Sequence, residues 1–116
     1  MIVEGQLHGG VVQGLGQALT ERTVYEEGQL LSASFMDYAL PRAADVPFFD
    51  SELDESQPCT HNPLGAKGCG EAGSIGAPAA IVGAVLDALR PLGVTDVELP
   101  LTPARVWSAI WSARKA

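Results

Sequence analysis

The N-terminal segment is rich in glycine, and its residues 4–17 read EGQLHGGVVQGLGQ. Apolar side chains recur there with helical spacing and form one face, which predicts a helix over residues 4–22. Each glycine inside a helix costs about 1 kcal/mol against alanine. A helix that keeps several glycines is therefore expected to need its backbone close to another group.

A second stripe on the same predicted helix is polar and uncharged. It consists of Gln6, Gly10, Gln13 and Gln17, at spacings of four, three and four, which places them on one side of the helix. Amides beside glycines could face a buried polar ligand. The alternative is a helix packed tightly on a neighbour, with the glutamines at the rim, and the spacing alone favours that alternative.

Composition limits what the chain can be. Its 116 residues allow one domain, residues 1–116; 47% are hydrophobic and only 18% charged, against about 25% charged in typical soluble domains. Either much of the chain is buried or it packs against something else, and at this length the second option gains weight. The net charge of −7, with seven scattered basic residues, argues against nucleic-acid binding.

Cysteine usage and hydropathy point to the cytoplasm. Cys59 and Cys69 form neither a disulfide framework nor a Cys-x-x-Cys zinc pair, so reduced thiols are expected. No uninterrupted run of about eighteen apolar residues occurs, so neither a transmembrane helix nor a membrane partner is expected.

The remaining pattern predicts an α+β fold: about three helices packed with short, mostly antiparallel strands. A glycine in residues 26–29 predicts a hairpin, and Thr102-Pro103 predicts a helix start. The predicted strands are residues 23–25, 30–36, 46–53 and 96–99. The other predicted helices are residues 77–89, with Pro78 in the first turn, and a last helix that buries Val106, Trp107, Ile110 and Trp111.

The chemistry is concentrated in a long Gly/Pro/Ser/Asn-rich stretch, residues 54–76, where a loop of this length is usually functional or disordered. Its residues 65–73 read GAKGCGEAG. Glycines before a helix N-terminus allow successive backbone N–H groups to form an anion-binding concavity. The pattern matches neither a Walker A loop nor a dinucleotide-binding fingerprint.

Glu71 is the single carboxylate among these glycines. In a dry loop it would suit general-base work near neutral pH, whereas the alternative is a glutamate that caps the following helix; the pattern alone favours capping. Lys67 could neutralise an anion or lie on the surface. Cys69 could be a small buried filler. His8 and His61 lack metal-ligand spacing, so no protein metal ligands are predicted.

Two segments together resemble a known family. Residues 4–17 and Lys67–Glu71 resemble the last two cofactor segments in the large subunit of the molybdenum hydroxylases, the family of xanthine dehydrogenase, aldehyde oxidase and carbon monoxide dehydrogenase. Residues 38–41 (YALP) and 102–107 (TPARVW) resemble the same C-terminal region. The likeness covers essentially the whole chain, and the combination of motifs is specific.

The resemblance assigns roles to particular residues. Glu71 would be the base beside molybdenum, which takes a proton so that water-derived oxygen can attack an electron-poor carbon. Gln13 would lie at the molybdenum end of a molybdopterin, with Lys67, Gly68, Cys69 and Gly70 near the same cofactor. The bacterial likeness points to a pterin carrying cytosine dinucleotide.

The resemblance also implies partners. Large subunits of the family are several times longer, so the chain is expected to be a fragment of the molybdopterin-binding domain that needs the remaining part of the large subunit. Iron–sulfur and FAD subunits or domains would carry the electrons. The isolated chain is expected to hold no cofactor and to be inactive. The alternatives are a self-associating, homo-oligomeric structural module and, more weakly, a nucleotide-binding glycine loop.

Overall fold

The computed structural model describes residues 1–115, and it confirms an α+β chain with three helices and a small antiparallel sheet. Two short 3₁₀ turns accompany these elements, at Ala43–Asp45 and Arg90–Leu92. The helices and strands are α1 (Ile2–Leu19), β1 (Tyr25–Glu26), β2 (Gln29–Leu30), α2 (Ala72–Leu89) and α3 (Pro103–Ala113).

The predicted hairpin is present, but its strands are only two residues long. Tyr25 pairs with Leu30 and Glu26 with Gln29, in antiparallel register. The connecting Glu27 and Gly28 both have positive φ, 47° and 81°, as the two central residues of a type I′ turn require. The turn therefore fixes the register locally, while the longer predicted strands, residues 23–25 and 30–36, are not formed.

The helix boundaries differ from the predicted ones. α1 ends at Leu19, where the N–H groups of Thr20 and Glu21 both donate to the Gly16 carbonyl. α2 begins at Ala72, five residues earlier than predicted, so Pro78 lies inside the helix and not in its first turn. Proline in a helix interior leaves one carbonyl without its helical donor.

The start of α3 is as predicted. The Thr102 side chain accepts a hydrogen bond from the Arg105 N–H at 3.4 Å, and Pro103 is the first helical residue. The prediction that this helix buries its aromatic face is wrong for this chain: Trp107 is 62% exposed and Trp111 47% exposed. The two indole rings stack on each other at 5.6 Å instead.

Two predicted strands, residues 46–53 and 96–99, are not strands in the structure. A strand is defined by its hydrogen-bonded neighbour, and no segment within residues 1–115 pairs with either of them.

The core is small. Part of it lies where the C-terminal segment meets the end of α1, because the Leu101 N–H donates to the Ala18 carbonyl at 2.7 Å. Within residues 1–115 no large side chain is fully buried. The core side chains are Ala18, Leu89, Val94 and Leu101.

The overall shape is open. The radius of gyration is 18.1 Å, whereas a compact domain of this length has about 13 Å. The accessible surface is 8886 Å², against roughly 6,000 Å² for a folded monomer of this mass. The chain therefore exposes far more surface than a self-contained domain does.

By length and composition alone, Ala72–Leu92 would be able to cross a membrane. This differs from the expectation based on uninterrupted apolar runs, because Asp87 and Arg90 interrupt the run but leave the mean hydropathy high. Length and composition are weak evidence, since the same helix packs against α1 through small residues.

Candidate functional site

The two sequence motifs meet where α1 crosses the N-terminal turn of α2. A Cβ atom placed on Gly10 would lie 3.1 Å from both the Gly73 Cα and the Ser74 nitrogen. A Cβ on Gly73 would lie 2.5 Å from the Leu7 carbonyl oxygen and 2.6 Å from the Val11 nitrogen. Backbone packs directly on backbone here, which only glycine permits on both sides.

The contact continues one turn along α1, where Gly14 faces α2. A Cβ on Gly14 would lie 2.7 Å from the Ala77 Cβ and 2.8 Å from the Pro78 Cδ. Gly10 and Gly14 thus serve close helix packing, which is the alternative that the spacing favoured. Their consequence for the site is that residues far apart in sequence, around Gly10 and around Gly70, are held together.

The loop that precedes α2 offers a run of free donors. Within residues 1–115, no backbone N–H group of residues 67–71 donates to a protein acceptor. Gly68 and Gly70 have open space where a side chain would be. Successive unpaired N–H groups beside a helix N-terminus attract anionic groups through their partial positive charges. The loop therefore has the free donors that the predicted anion-binding role would need.

Asn62, which the sequence reasoning missed, holds the loop in shape. Its Nδ2 donates to the Ala66 carbonyl at 2.9 Å, and its Oδ1 accepts from the Ala66 N–H at 3.0 Å. The Cys59 N–H donates to the carbonyl of Gly65, which has a φ of +65°. The Asn-Pro-Leu-Gly sequence just before the glycine-rich run was the available signal, because Asn and Gly together mark turns.

Replacing Asn62 by alanine is expected to loosen this loop. Two hydrogen bonds are lost at an exposed position, each worth about 0.5–1.5 kcal/mol, so exchange of the Ala66 amide hydrogen should accelerate roughly fivefold or more. Asn62→Asp keeps the oxygen that accepts from Ala66 and should lie between the two. Equal exchange rates in all three proteins would show that Asn62 does not order the loop.

Glu71 occupies the N-cap position of α2, but its side chain makes no capping hydrogen bond. Its backbone carbonyl accepts from the N–H groups of Ser74 and Ile75, each at 3.1 Å, and from the Ser74 hydroxyl at 3.1 Å. The main chain therefore fixes this position while the exposed carboxylate has no role in capping. The loop is not dry in this chain, since Glu71 is exposed.

The other predicted site residues fall into two groups. One cleft of about 580 Å³ is lined by Lys67, Gly68 and Cys69. Val3 and Leu7 of α1 line the same cleft. Gln13 lies exposed on α1 and does not line that cleft. The exposed Gln6 and Gln17 and the buried Gly10 complete the α1 stripe.

The two histidines lie apart from any group of potential metal ligands in the described residues. Within residues 1–115, no three His, Cys, Asp or Glu side chains are grouped so that they could hold a metal ion. His8 instead lies 4.5 Å from the Phe49 ring, centroid to centroid, and 3.3 Å from the Ser51 hydroxyl.

Residues 38–41 anchor the C-terminal end of α1. The Thr20 hydroxyl donates to the Ala39 carbonyl at 2.8 Å, and the Tyr38 hydroxyl donates to Glu21 Oε2 at 2.6 Å. Pro41 packs on Gly16. The hydrogen bond to the Glu21 carboxylate raises the pKa of Tyr38, because it is lost when the phenol ionises.

The Tyr38–Glu21 bond predicts a loss of stability in alkali. A raised folded-state pKa gives a contribution that is fully present below the ordinary tyrosine value of about 10 and is lost as the pH rises through the raised pKa. We expect Tyr38→Phe to remove this alkaline dependence of unfolding. An unchanged alkaline profile in Tyr38→Phe would rule the bond out as its source.

Arg105 organises the turn before α3. Its Nη1 donates to the carbonyl of Leu99 and, at 3.4 Å, to those of Glu98 and Pro100. Its Nη2 lies 3.6 Å from a Glu98 carboxylate oxygen. Residues 102–107, which resemble the C-terminal region of the family, thus have a structural role. Through Arg105 they close the turn whose Leu101 lies against α1.

Comparison with known proteins identifies the class. Residues 1–47 match the family model of a molybdopterin cofactor-binding domain. The whole chain is 44% identical to the 6-hydroxypseudooxynicotine dehydrogenase complex subunit gamma of Paenarthrobacter nicotinovorans, of which it covers 15%. Over 95% of its length, it is 37% identical to the carbon monoxide dehydrogenase large chain of Hydrogenophaga pseudoflava, covering 14% of that protein.

Comparison with a solved structure indicates the same class of protein. The Cu,Mo-containing carbon monoxide dehydrogenase superposes on 98% of the chain with a TM-score of 0.89 and 35% identity, and the chain covers 14% of it. The chain belongs to the molybdenum hydroxylases, the family of xanthine dehydrogenase, aldehyde oxidase and carbon monoxide dehydrogenase, as a part of their molybdopterin-binding large subunit. It spans 14–15% of the length of these relatives.

The residues present fit a molybdopterin. Such a cofactor is anionic and rich in hydrogen-bonding groups, and the free N–H groups of residues 67–71 are donors of the required kind. The open space at Gly68 and Gly70 lets a ligand approach the backbone closely. No protein ligand set for the metal is needed, because the metal belongs to the cofactor.

Proposed function

We propose that this chain supplies the base and part of the cofactor-binding surface of a molybdenum hydroxylase large subunit. The enzyme would hydroxylate or oxidise a small carbonyl or N-heterocyclic substrate with oxygen derived from water. The observation that carries the proposal is the meeting of the two motif segments at Gly10 and Gly73, which joins the α1 stripe to the free N–H groups of residues 67–71.

Glu71 is the general base in this proposal. Its carboxylate is exposed at the start of α2 and makes no capping hydrogen bond, so its oxygens are available to accept a proton. Its position is nevertheless fixed, because its carbonyl accepts three hydrogen bonds from Ser74 and Ile75. A base needs both properties: a free carboxylate, and a backbone that cannot drift from the reacting group.

The cofactor-binding residues are Gln13, Lys67, Gly68, Cys69 and Gly70. Backbone N–H groups of the loop would donate to the anionic parts of the cofactor, with the Lys67 ammonium adding one positive charge. The Gln13 amide can both donate and accept. When bound, the molybdenum cofactor supplies water activation and takes up the electrons from the substrate. The pterin would carry cytosine dinucleotide.

The proposed partners are the remaining part of the large subunit and iron–sulfur and FAD subunits or domains. The chain, residues 1–116, would be one incomplete domain of a cytoplasmic enzyme, without nucleic-acid or membrane partners. Its open shape and exposed Trp107 and Trp111 support a missing partner. The same surface favours one rival, a self-associating structural module without catalytic function.

Molybdenum content tests the proposal. We expect no metal in the purified chain alone, and metal in stoichiometric amount when the chain is produced together with the remaining part of the large subunit in a host supplied with molybdate. Hydrodynamic size should show a one-to-one assembly in the second case. A folded assembly without molybdenum would contradict the cofactor assignment, and a stable homo-oligomer that rejects the remaining part would favour the structural module.

A further inference from the structure

The last helix, α3, has two faces that differ in burial. Its inner face is half-buried, and a Cβ on Gly93 would lie 3.8 Å from the Cβ of Ala113 on that face. Its outer face, the tryptophan face, carries the two tryptophans of the sequence, Trp107 and Trp111, which are 62% and 47% exposed. Because they lie four residues apart, they are neighbours on one side of the helix. The half-buried side chains of the inner face are Val106, Ala109, Ile110 and Ala113.

The two tryptophan side chains are held in one arrangement. Their indole rings stack with 5.6 Å between centroids and 10° between ring planes. The Lys115 Nζ lies 4.9 Å from the centroid of the Trp111 ring, within the range of a cation–π contact. Side chains that are already ordered lose little conformational freedom when a partner binds. The pair therefore has the properties of the aromatic anchors that dominate protein interfaces.

The charge beside the tryptophan face has one sign. Arg114 and Lys115 are exposed at the end of α3, whereas the sequence has no acidic residue after Glu98. The whole sequence has 14 acidic and seven basic residues, so its C-terminal end is basic while the rest is acidic. A complementary surface is apolar opposite the indole rings and acidic at its rim.

A second copy of the chain does not provide that surface through the same face. A two-fold pair brings identical faces together, and residues 103–115 contain no Asp or Glu. Arg114 and Lys115 would then find no opposite charge on the facing helix. The tryptophan face is therefore not self-complementary in charge.

We propose that the tryptophan face docks on an apolar, acidic-rimmed surface of the remaining part of the large subunit. The proposal rests on the assembly described under the proposed function. The chain spans only 14–15% of its relatives, so most of a large subunit of this family lies outside it. Permanent interfaces are the more hydrophobic ones and resemble a domain core cut in half. A stacked tryptophan pair suits such an interface within one subunit better than a polar contact between separate subunits.

Fluorine NMR on the assembled large subunit tests this docking. The sequence has two tryptophans, so 5-fluorotryptophan incorporated into this chain alone gives two signals, both from the tryptophan face. We expect a soluble paramagnetic agent to relax both signals at least tenfold less in the assembly than in the isolated chain. Equal relaxation in the two states would overturn the proposal.

The same signals distinguish the other occupants. Protection that grows with the concentration of the isolated chain, and is absent from the assembly, would overturn the proposal in favour of a second copy. Protection that appears only after iron–sulfur or FAD subunits are added would overturn it in favour of those subunits. Molybdenum content separates this proposal from the proposed function: protected tryptophans in a metal-free assembly contradict the function alone, and exposed tryptophans in a metal-loaded assembly contradict the docking alone.

Trp107→Ser and Tyr25→Ser provide a matched pair of variants. Tyr25 is an aromatic residue of the hairpin and is 66% exposed, close to the 62% of Trp107. Trp107→Ser should weaken association with the remaining part of the large subunit at least tenfold, whereas Tyr25→Ser should change it less than twofold. Circular dichroism of each isolated chain checks that both variants fold. Equal affinities of the two variants would count against the tryptophan face.

Lys115→Glu tests the acidic rim without removing an aromatic ring. We expect this charge reversal to weaken association at least threefold at low ionic strength, and the difference from the unmodified chain to shrink as salt is added, because salt screens exposed charges. An affinity that Lys115→Glu leaves unchanged at low ionic strength would contradict the acidic rim.

Discussion

Replacing Glu71 by glutamine should abolish turnover of the assembled, molybdenum-loaded enzyme while leaving its metal content unchanged. A positioned general base contributes about 10²- to 10⁴-fold to a rate, and the neutral amide cannot accept the proton. The fold should tolerate the change, because Glu71 holds α2 through its backbone carbonyl and its side chain makes no capping bond. The measurement is kcat together with molybdenum per assembly.

The matched control is Glu26→Gln. Glu26 lies exposed in the hairpin and is outside the proposed site, so this change removes the same charge without an effect on kcat. If Glu71→Gln retained the activity of the Glu26→Gln control, Glu71 would not be the base. If Glu71→Gln lost activity only in proportion to lost molybdenum, Glu71 would have a structural role at the cofactor instead.

Gly73→Ala should separate α1 from α2. The added methyl group would lie 2.5–2.6 Å from backbone atoms of Leu7 and Val11, and backbone cannot swing aside as a side chain tip can. Overpacking typically costs about 1–3 kcal/mol, and occasionally more; a clash between two backbones belongs at the upper end. Thermal unfolding of the assembly followed by circular dichroism measures the loss, and the cofactor should be retained poorly because both motif segments depend on this crossing.

Gly76→Ala and Gly10→Ala provide a graded series with the same chemical change. A Cβ on Gly76 meets nothing within 4 Å, so alanine there should stabilise the helix by about 0.5–1 kcal/mol. On Gly10 the nearest atoms lie at 3.1 Å, which predicts an intermediate loss. If all three substitutions changed the unfolding midpoint by the same amount, the glycine crossing would not be what holds the helices.

Turns and helix ends were predictable from the sequence because each depends on a few neighbouring residues. The turn at Glu27-Gly28, the Thr102-Pro103 helix start and the end of α2 at Leu89 each depend on a few neighbouring residues, and each is present as expected. The start of α2 was not predictable in the same way. Pro78 favours a first-turn position, but packing of Gly73 on α1 extends the helix five residues towards the N-terminus.

The predictions of strands and of buried side chains failed where the feature depends on a neighbouring segment. Residues 46–53 and 96–99 have the composition of strands, yet pairing requires a neighbour that residues 1–115 do not contain. The aromatic face of α3 has the spacing of a buried stripe, yet Trp107 and Trp111 remain largely exposed. In each case the pattern describes what the segment is suited to contact, and residues 1–115 do not supply that contact.

By itself the sequence determined the three helices, the hairpin turn, the glycine-rich loop and the family, because periodicity, turn chemistry and motif spacing are properties of neighbouring residues. What the glycines do depends on the tertiary structure, which places Gly10 against Gly73 and Gly14 against Ala77 and Pro78. These contacts join residues distant in the chain, and their geometry follows from packing between helices, which no local pattern specifies.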